Sequence, residues 1–253
     1  MMKTALLASA FSLVAFAGQA AELNFLVGGS MQEAFREIGA AYMKKTGDKI
    51  NFTVDTTGVL VGKLNGGAPA DLILVSEPAM NNLVKDKKVV EASRIRLARA
   101  SIGVSVKADA AAPDLSTEDA FWKAITSAKS ISYVNPETGG TSGTYMDGLF
   151  KKKGISDSMR AKVVWGYQGS QVASAVAEGK AELGITFISE MAPNKGVKIA
   201  ALLPASIQNA TAYDAAIPVG AKNAEGARAF LAMMTSAEGK AAIANSHLEP
   251  ISH

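Results

Sequence analysis

The sequence predicts an α/β fold of two lobes, each an open, mostly parallel sheet flanked by helices. Strand-like and helix-like segments alternate along the chain from residue 23 onward. Residues 71–76 (DLILVS) have the continuous apolar character of a central parallel strand. Turns rich in glycine and hydroxyl residues lead from strand to helix in both halves of the chain. Repeated β-α-β units imply parallel strands joined by right-handed crossovers.

Residues 1–20 are typical of a secretory signal peptide. Lys3 supplies the positive charge, residues 5–17 are apolar or small, and Gly18 and Ala20 are the small residues that favour cleavage after Ala20. The apolar stretch is too short to span a membrane. A buried N-terminal helix is the alternative, but the order of these features favours export to the periplasm.

Composition narrows the possible functions of the 253-residue chain. It has no cysteine, which excludes disulfides and thiolate metal sites, and its two histidines lie at the extreme C-terminus. We therefore expect no metal site and no cofactor. The formal charge is only +3 and the basic residues are dispersed, so nucleic-acid binding is not expected.

The first set of β-α units forms the predicted first lobe, residues 21–100 together with 214–253. Periodicity predicts strands at 23–27, 50–54, 71–76 and 102–106, the last of which begins the second lobe. The intervening helices have apolar faces at helical spacing, formed by Met31, Ala34, Phe35, Ile38 and Tyr42, then Leu60, Val61 and Leu64, then Met80, Leu83 and Val84.

The second lobe is predicted over residues 101–213. Its further strands are at 131–134, 162–165, 183–187 and 197–200, and its helices at 145–153 and 170–178. A later strand at 212–219 and closing helices at 224–234 and 238–244 return to the first lobe. We expect hinges near 100–106 and 212–218, where the chain passes between the lobes.

Small hydroxyl residues recur where predicted strands end. They occur at 28–30 (GGS), 56–58 (TTG), Ser76, 135–145 (NPETGGTSGTY) and 166–170 (GYQGS). The first turn of a helix leaves N–H groups unpaired and carries partial positive charge, which suits an anion. Residues 135–145 are not a P-loop, because no Gly-Lys-Ser/Thr follows.

Each of these hydroxyls alone is an ordinary helix cap that stabilises by ~1 kcal/mol. Ligands of open α/β sheets bind outside the carboxyl ends of the strands. Because the hydroxyls come from both halves of the chain, we expect them to face one cleft. There an anion would be held by neutral donors without a Lys or Arg contact.

Several segments resemble the periplasmic molybdate-binding proteins of ABC importers, whose fold is a type II periplasmic binding protein. The most specific is 67–76 (GAPADLILVS), which follows the Gly-Gly-Ser and Thr-Thr-Gly turns. The others run in the family's order over nearly the whole mature chain: 86–90 (DKKVV), 135–137 (NPE), 178–185 (EGKAELGI) and 195–199 (KGVKI).

The resemblance implies two lobes that close over a tetrahedral oxyanion, molybdate or tungstate, and deliver it to an inner-membrane permease. Ser30 and Thr57 would donate hydroxyl and backbone hydrogen bonds, and Ser76 a backbone N–H. Ser142 and Gly169 would supply backbone donors from the second lobe. We expect the protein to be a monomer. Its candidate ligand-binding residues are Ser30, Thr57, Ser76, Thr141, Ser142, Gly169, Ser170 and Phe187.

Phe187 departs from the family pattern, which usually has a tyrosine hydroxyl there. An oxyanion oxygen left without that donor would weaken binding by ~1–3 kcal/mol. Thr186, Ser189, Tyr145 or Tyr167 are the candidates to replace it. The departure leaves a second ligand class open, a small organic acid such as a di- or tricarboxylate.

An exported hydrolase is the rival class of protein. No Gly-x-Ser-x-Gly motif surrounds Ser30 or Ser142. We therefore expect a binding protein and not an enzyme. Whether it delivers cargo to a transporter or to a receptor stays open.

Overall fold

The structure, a computed structural model, describes residues 20–251. The predicted signal peptide therefore lies almost wholly outside the described residues. The strands are β1 (Glu22–Gly28), β2 (Lys49–Asp55), β3 (Leu72–Ser76), β4 (Ile95–Ala100), β5 (Ile102–Lys107), β6 (Ile131–Val134), β7 (Val163–Gly166), β8 (Leu183–Phe187), β9 (Val197–Leu202), β10 (Thr211–Ala216) and β11 (Glu249–Pro250).

The helices alternate with these strands, as the sequence predicts. They are α1 (Gln32–Thr46), α2 (Thr57–Asn65), α3 (Glu77–Lys85), α4 (Glu118–Ser127), α5 (Thr141–Lys153), α6 (Ser156–Arg160), α7 (Gly169–Ala177), α8 (Ile188–Met191), α9 (Ala224–Thr235) and α10 (Ala237–Asn245). Short 3₁₀ turns precede α1 at Gly29–Met31 and α5 at Pro136–Thr138.

The strands form two sheets, one in each lobe. The first sheet has the order β11-β4-β10-β3-β1-β2 and the second β7-β6-β8-β5-β9. In the first, only β10 and β11 run against the other strands, and in the second only β5 does. The α/β prediction of two mostly parallel sheets flanked by helices is confirmed.

The chain passes twice between the sheets. Ser101 alone separates β4 of the first sheet from β5 of the second, and the segment after β9 returns to β10. β10 starts at Thr211. The lobe bounds given above stay a prediction.

Five elements are absent from the sequence-based predictions: β4, α4, α6, α8 and β11. β4 (IRLARA) carries two arginines, which mask its strand character. α4 lies in a stretch without a prediction, although Thr117 caps it and it buries Phe121, Trp122 and Ile125. α6 is only a short helix after Gly154.

A buried ion pair fixes β10 between β3 and β4. Asp214 is 0% exposed, and its two carboxylate oxygens accept hydrogen bonds from Arg94 Nε at 2.7 Å and Arg96 Nε at 3.0 Å. Arg96 also pairs with Glu77 of α3. This network holds the preceding residue, Tyr213, opposite Ser76.

Candidate functional site

The predicted strand-end turns meet in one region, called here the interlobe cleft: residues 28–30, 56–58, 76, 138–142, 168–170, 186–190 and 213. The two lobes touch at one end of it. Thr56 Oγ1 donates to the Thr138 carbonyl at 2.7 Å, and the Gly58 N–H donates to the Gly139 carbonyl at 3.1 Å. The structure is therefore closed at this end of the cleft.

Hydroxyls of the two lobes lie together beside this contact. Thr57 Oγ1 accepts hydrogen bonds from Thr141 Oγ1 and from the Ser76 N–H, both at 3.4 Å. Ser30 is 2% exposed, and its Oγ has no hydrogen-bond partner. A buried hydroxyl without a partner costs free energy, which a ligand in contact with it would recover.

Tyr213 is the tyrosine of the cleft. Its ring lies against Gly28, since a Cβ at Gly28 would be 3.1 Å from Tyr213 Cε1. It packs edge-on against Phe187, with ring centroids 5.9 Å apart. Burial, and then the nearby Glu190, raise the pKa of the Tyr213 phenol, so the group keeps its proton and is a donor at neutral pH.

The second lobe contributes a chain of hydrogen bonds that ends in a carboxyl group. Ser142 Oγ and Thr186 Oγ1 are 2.9 Å apart, and Thr186 Oγ1 donates to Glu190 Oε2 at 2.8 Å. Because Thr186 donates its only proton to Glu190, Ser142 is the donor to Thr186.

Glu190 lies between the glycines of the two lobes. A Cβ at Gly29 would be 2.7 Å from Glu190 Oε1, and one at Gly169 would be 1.9 Å from Oε2. The carboxyl group thus occupies the space at the start of α7 and beside the turn before α1, where the sequence predicts an anion. Desolvation raises its pKa to about 7, and the Thr186 hydrogen bond partly opposes that shift.

A cavity of about 70 Å³ lies beside this carboxyl group. The first lobe contributes Gly29, Gln32 and Glu33, and the second contributes Ser170, Ser189 and Glu190. Ser189 is 5% exposed and its Oγ has no hydrogen-bond partner. This part of the cleft therefore combines an unpaired hydroxyl, that of Ser189, with a carboxyl group beside a small cavity.

The structure brings the predicted candidate residues into this cleft. Ser30, Thr57, Ser76 and Thr141 lie around Tyr213, whereas Ser142, Gly169 and Ser170 lie toward Glu190. Phe187 is buried behind Tyr213. Their role in ligand binding stays a prediction.

Two of the four suggested replacements for the missing tyrosine hydroxyl lie elsewhere. Tyr145 donates its hydroxyl to the Ile207 carbonyl at 2.9 Å, and Tyr167 is 62% exposed. Thr186 and Ser189 do lie in the cleft.

Sequence reasoning missed Glu190 and Tyr213. Glu190 lies in the short helix that directly follows β8, at a strand-to-helix turn like those that carry the hydroxyl residues. This position is the feature of the sequence that could have identified it. Tyr213 lies within a predicted strand and had no distinguishing signal. The cleft therefore holds a carboxyl group where only neutral donors were expected.

Residues 20–251 contain no cluster of His, Cys, Asp or Glu suited to a metal ion. Within the same range, no helix is long and apolar enough to cross a membrane.

Comparison with known proteins places the chain in a family. Residues 23–249 match the family described as bacterial extracellular solute-binding protein. The chain is 31% identical over 235 residues to aconitate isomerase of a Pseudomonas species, covering 90% of this chain and 88% of that protein. It is 23% identical over 205 residues to the molybdate-binding protein of Escherichia coli, covering 80% and 79%.

A solved structure confirms the fold. The periplasmic molybdate-binding protein of Azotobacter vinelandii superimposes with a TM-score of 0.72 at 19% identity, covering 89% of this chain and 98% of that one. The family match spans nearly all of the described residues, and it agrees with the resemblance seen in the sequence. The chain belongs to the bacterial extracellular solute-binding protein family.

Proposed function

We propose that this protein is the periplasmic binding component of an ABC importer and that it encloses a small organic acid of the di- or tricarboxylate class. The choice of ligand rests on the position of the Glu190 carboxyl group, which lies in the cleft between Gly29 and Gly169. The family supports the role of solute capture, and delivery to a permease follows from that role.

A tetrahedral oxyanion presents acceptor oxygens on every side. Its oxygens would meet the hydroxyls of Ser30, Thr57 and Thr141 favourably, but one of them would also meet the Glu190 carboxyl group. Two like charges in a desolvated site repel unless a proton lies between them. Molybdate or tungstate would therefore bind together with a proton on Glu190.

An organic acid has a different shape and a different distribution of charge. Its carboxylates can lie on the donors while its carbon skeleton or a hydroxyl group lies against Glu190. The 31% identity to a protein named aconitate isomerase supports this ligand class, because aconitate is an unsaturated tricarboxylate.

Molybdate or tungstate is the second candidate ligand. The neutral donors Ser30, Thr57, Ser76 and Thr141 favour it, as does the 23% identity to a molybdate-binding protein. Fold alone does not decide between the two, because one fold supports many ligands.

Thermal unfolding of the protein purified from the periplasm tests the proposal. The ligands are molybdate, tungstate, sulfate, phosphate and a panel of di- and tricarboxylates that includes both aconitate isomers. A ligand at 100 times its dissociation constant stabilises the folded protein by ~2.7 kcal/mol. We expect carboxylates to raise the melting temperature at pH 8, where Glu190 is ionised.

The pH separates the two candidates. If molybdate binds by protonating Glu190, its affinity falls by about tenfold for each pH unit above the pKa of that group. A shift with molybdate and tungstate alone, undiminished at pH 8, would contradict the organic-acid proposal.

A further inference from the structure

The cleft holds three polar groups, Glu190, Tyr213 and Ser30, of which the carboxyl group is not needed to hold an anion. Glu190 is bound through Oε2 to Thr186, whereas Oε1 lies against Gly29. The Tyr213 phenol lies close enough for the Glu190 charge to affect it. Ser30 Oγ, 2% exposed, has no partner. A carboxyl group of the second lobe and a phenol and a serine hydroxyl of the first thus lie close together where the lobes meet.

We infer that the cleft is also catalytic: Glu190 moves a proton between two carbons of a bound unsaturated carboxylic acid and thereby shifts its double bond. Tyr213 donates a hydrogen bond to the carboxylate that takes up the negative charge. This inference rests on the proposed function, because it takes an organic acid as the bound ligand.

The reaction is an allylic proton shift. The Glu190 carboxylate accepts a proton from a ligand carbon that lies between a carboxylate and a carbon–carbon double bond. The electron pair of that C–H bond spreads over the double bond and the carboxylate to form a dienolate. Protonated Glu190 then returns the proton to the far carbon of the three-carbon unit, so the double bond moves by one position. Glu190 is regenerated, and no oxidant, reductant or co-reactant is consumed.

The surroundings of Glu190 suit this role. A base is most effective when its pKa is near the working pH, and burial brings Glu190 to about 7. Thr186, itself held by Ser142, fixes the orientation of the carboxyl group. A protonated phenol in a desolvated site stabilises the charge of a dienolate more strongly than water does.

Proton NMR in deuterated buffer tests the inference with the whole protein. The probes are cis-aconitate and trans-aconitate, and the control ligand is tricarballylate, the saturated analogue that cannot form a dienolate. We expect deuterium to enter the CH₂ group of aconitate and the two isomers to interconvert, with no exchange in tricarballylate.

Variants assign the step to its residues. Glu190→Gln should lower the exchange rate by about 100-fold or more, the usual contribution of a general base. Tyr213→Phe keeps the ring against Phe187 and should slow exchange by about 10-fold or more, because it removes one donor to the developing charge. Glu178→Gln is the matched control, since Glu178 is exposed and pairs with Lys180 outside the cleft.

Calorimetry with the same ligands separates loss of binding from loss of chemistry. Carboxylate binding by the wild type without exchange overturns the catalytic inference and leaves the proposed function standing. Exchange that persists in Glu190→Gln overturns the assignment of the base. Absence of binding by every carboxylate overturns the proposed function and the inference together.

Discussion

The Glu190 carboxyl group lies against Gly29 in one lobe and Gly169 in the other, and neither position has room for a Cβ atom. Both glycines come from turns that the sequence identified as anion-binding. The same absence of side chains that lets backbone approach an anion also admits the carboxyl group of Glu190. We therefore expect a single side chain, Glu190, to change the chemistry of these two turns.

The stability of the ligand-free protein should depend on pH through Glu190. Its pKa rises from an ordinary value of 4.5 to about 7 in the folded protein, so the folded state binds the extra proton between those values. Stability should therefore fall as the pH rises through this window, by on the order of 2 kcal/mol. Urea unfolding of the wild type and Glu190→Gln at pH 5 and pH 8 measures the effect.

The Gln variant has no charge to desolvate, so its stability relative to the wild type should be greater at pH 8 than at pH 5. The other titratable side chain that lines the cavity is Glu33, on α1, and the nearby Tyr213 phenol keeps its proton across this range. Glu178→Gln is again the control. An equal difference between wild type and Glu190→Gln at both pH values would contradict the raised pKa.

At the level of single elements, β10 decides where Tyr213 lies. The strand runs antiparallel between β3 and β4, and the registers place Tyr213 opposite Ser76 on one side and Ala98 on the other. Asp214 beside it is fully buried and paired with Arg94 and Arg96. The ion pairs therefore position the phenol without touching the cleft.

Asp214→Asn should destabilise the protein strongly. It removes the charge that pairs with two partly buried guanidinium groups, and the expected loss is about 2–4 kcal/mol. Urea unfolding measures it, with Asp147→Asn as the control because Asp147 pairs with the exposed Arg160. If Asp214→Asn lowers the free energy of unfolding no more than the control variant does, the network contributes little to stability.

At the scale of the whole molecule, we expect the two lobes to close around a ligand. The chain passes between the sheets at Ser101 and again after β9, so two segments connect the lobes. Closure around a ligand is the common motion of such two-lobed proteins. In the closed structure, α2 of the first lobe meets the turn before α5 of the second, through Gly58 and Gly139.

Gly58→Ala should impair closure. A Cβ there would be 2.7 Å from both Gly139 Cα and the Thr138 carbonyl oxygen, and these are backbone atoms that cannot rotate away. Overpacking of this kind costs about 1–3 kcal/mol, which lowers ligand affinity by about 5- to 150-fold. Calorimetry with the ligand found in the screen measures it.

Gly62→Ala is the matched control for this prediction. Gly62 lies in the same helix, and a Cβ there has nothing within 4 Å. Alanine should stabilise α2 at that position by ~0.5–1 kcal/mol and leave affinity unchanged. Equal affinities of the Gly58→Ala and Gly62→Ala variants would show that closure does not use this contact.

The sequence by itself determined the α/β class, most of the helices and strands, and the turns that face the cleft. Those features follow from local periodicity and turn chemistry, which act over a few residues. The family resemblance added the expectation that these elements form two lobes. β4 was not predicted because its two arginines mask the apolar pattern of a strand. α4 was not predicted because its segment shows no clear pattern.

Only the tertiary structure decided which side chains share the cleft. Glu190 lies in α8, which follows β8 of the second sheet, whereas Tyr213 lies in β10 of the first sheet, and no local pattern relates them. Contact between the lobes places Glu190 against Gly29, and desolvation raises its pKa to about 7. The position of Glu190 beside the first lobe is therefore a product of packing between the lobes.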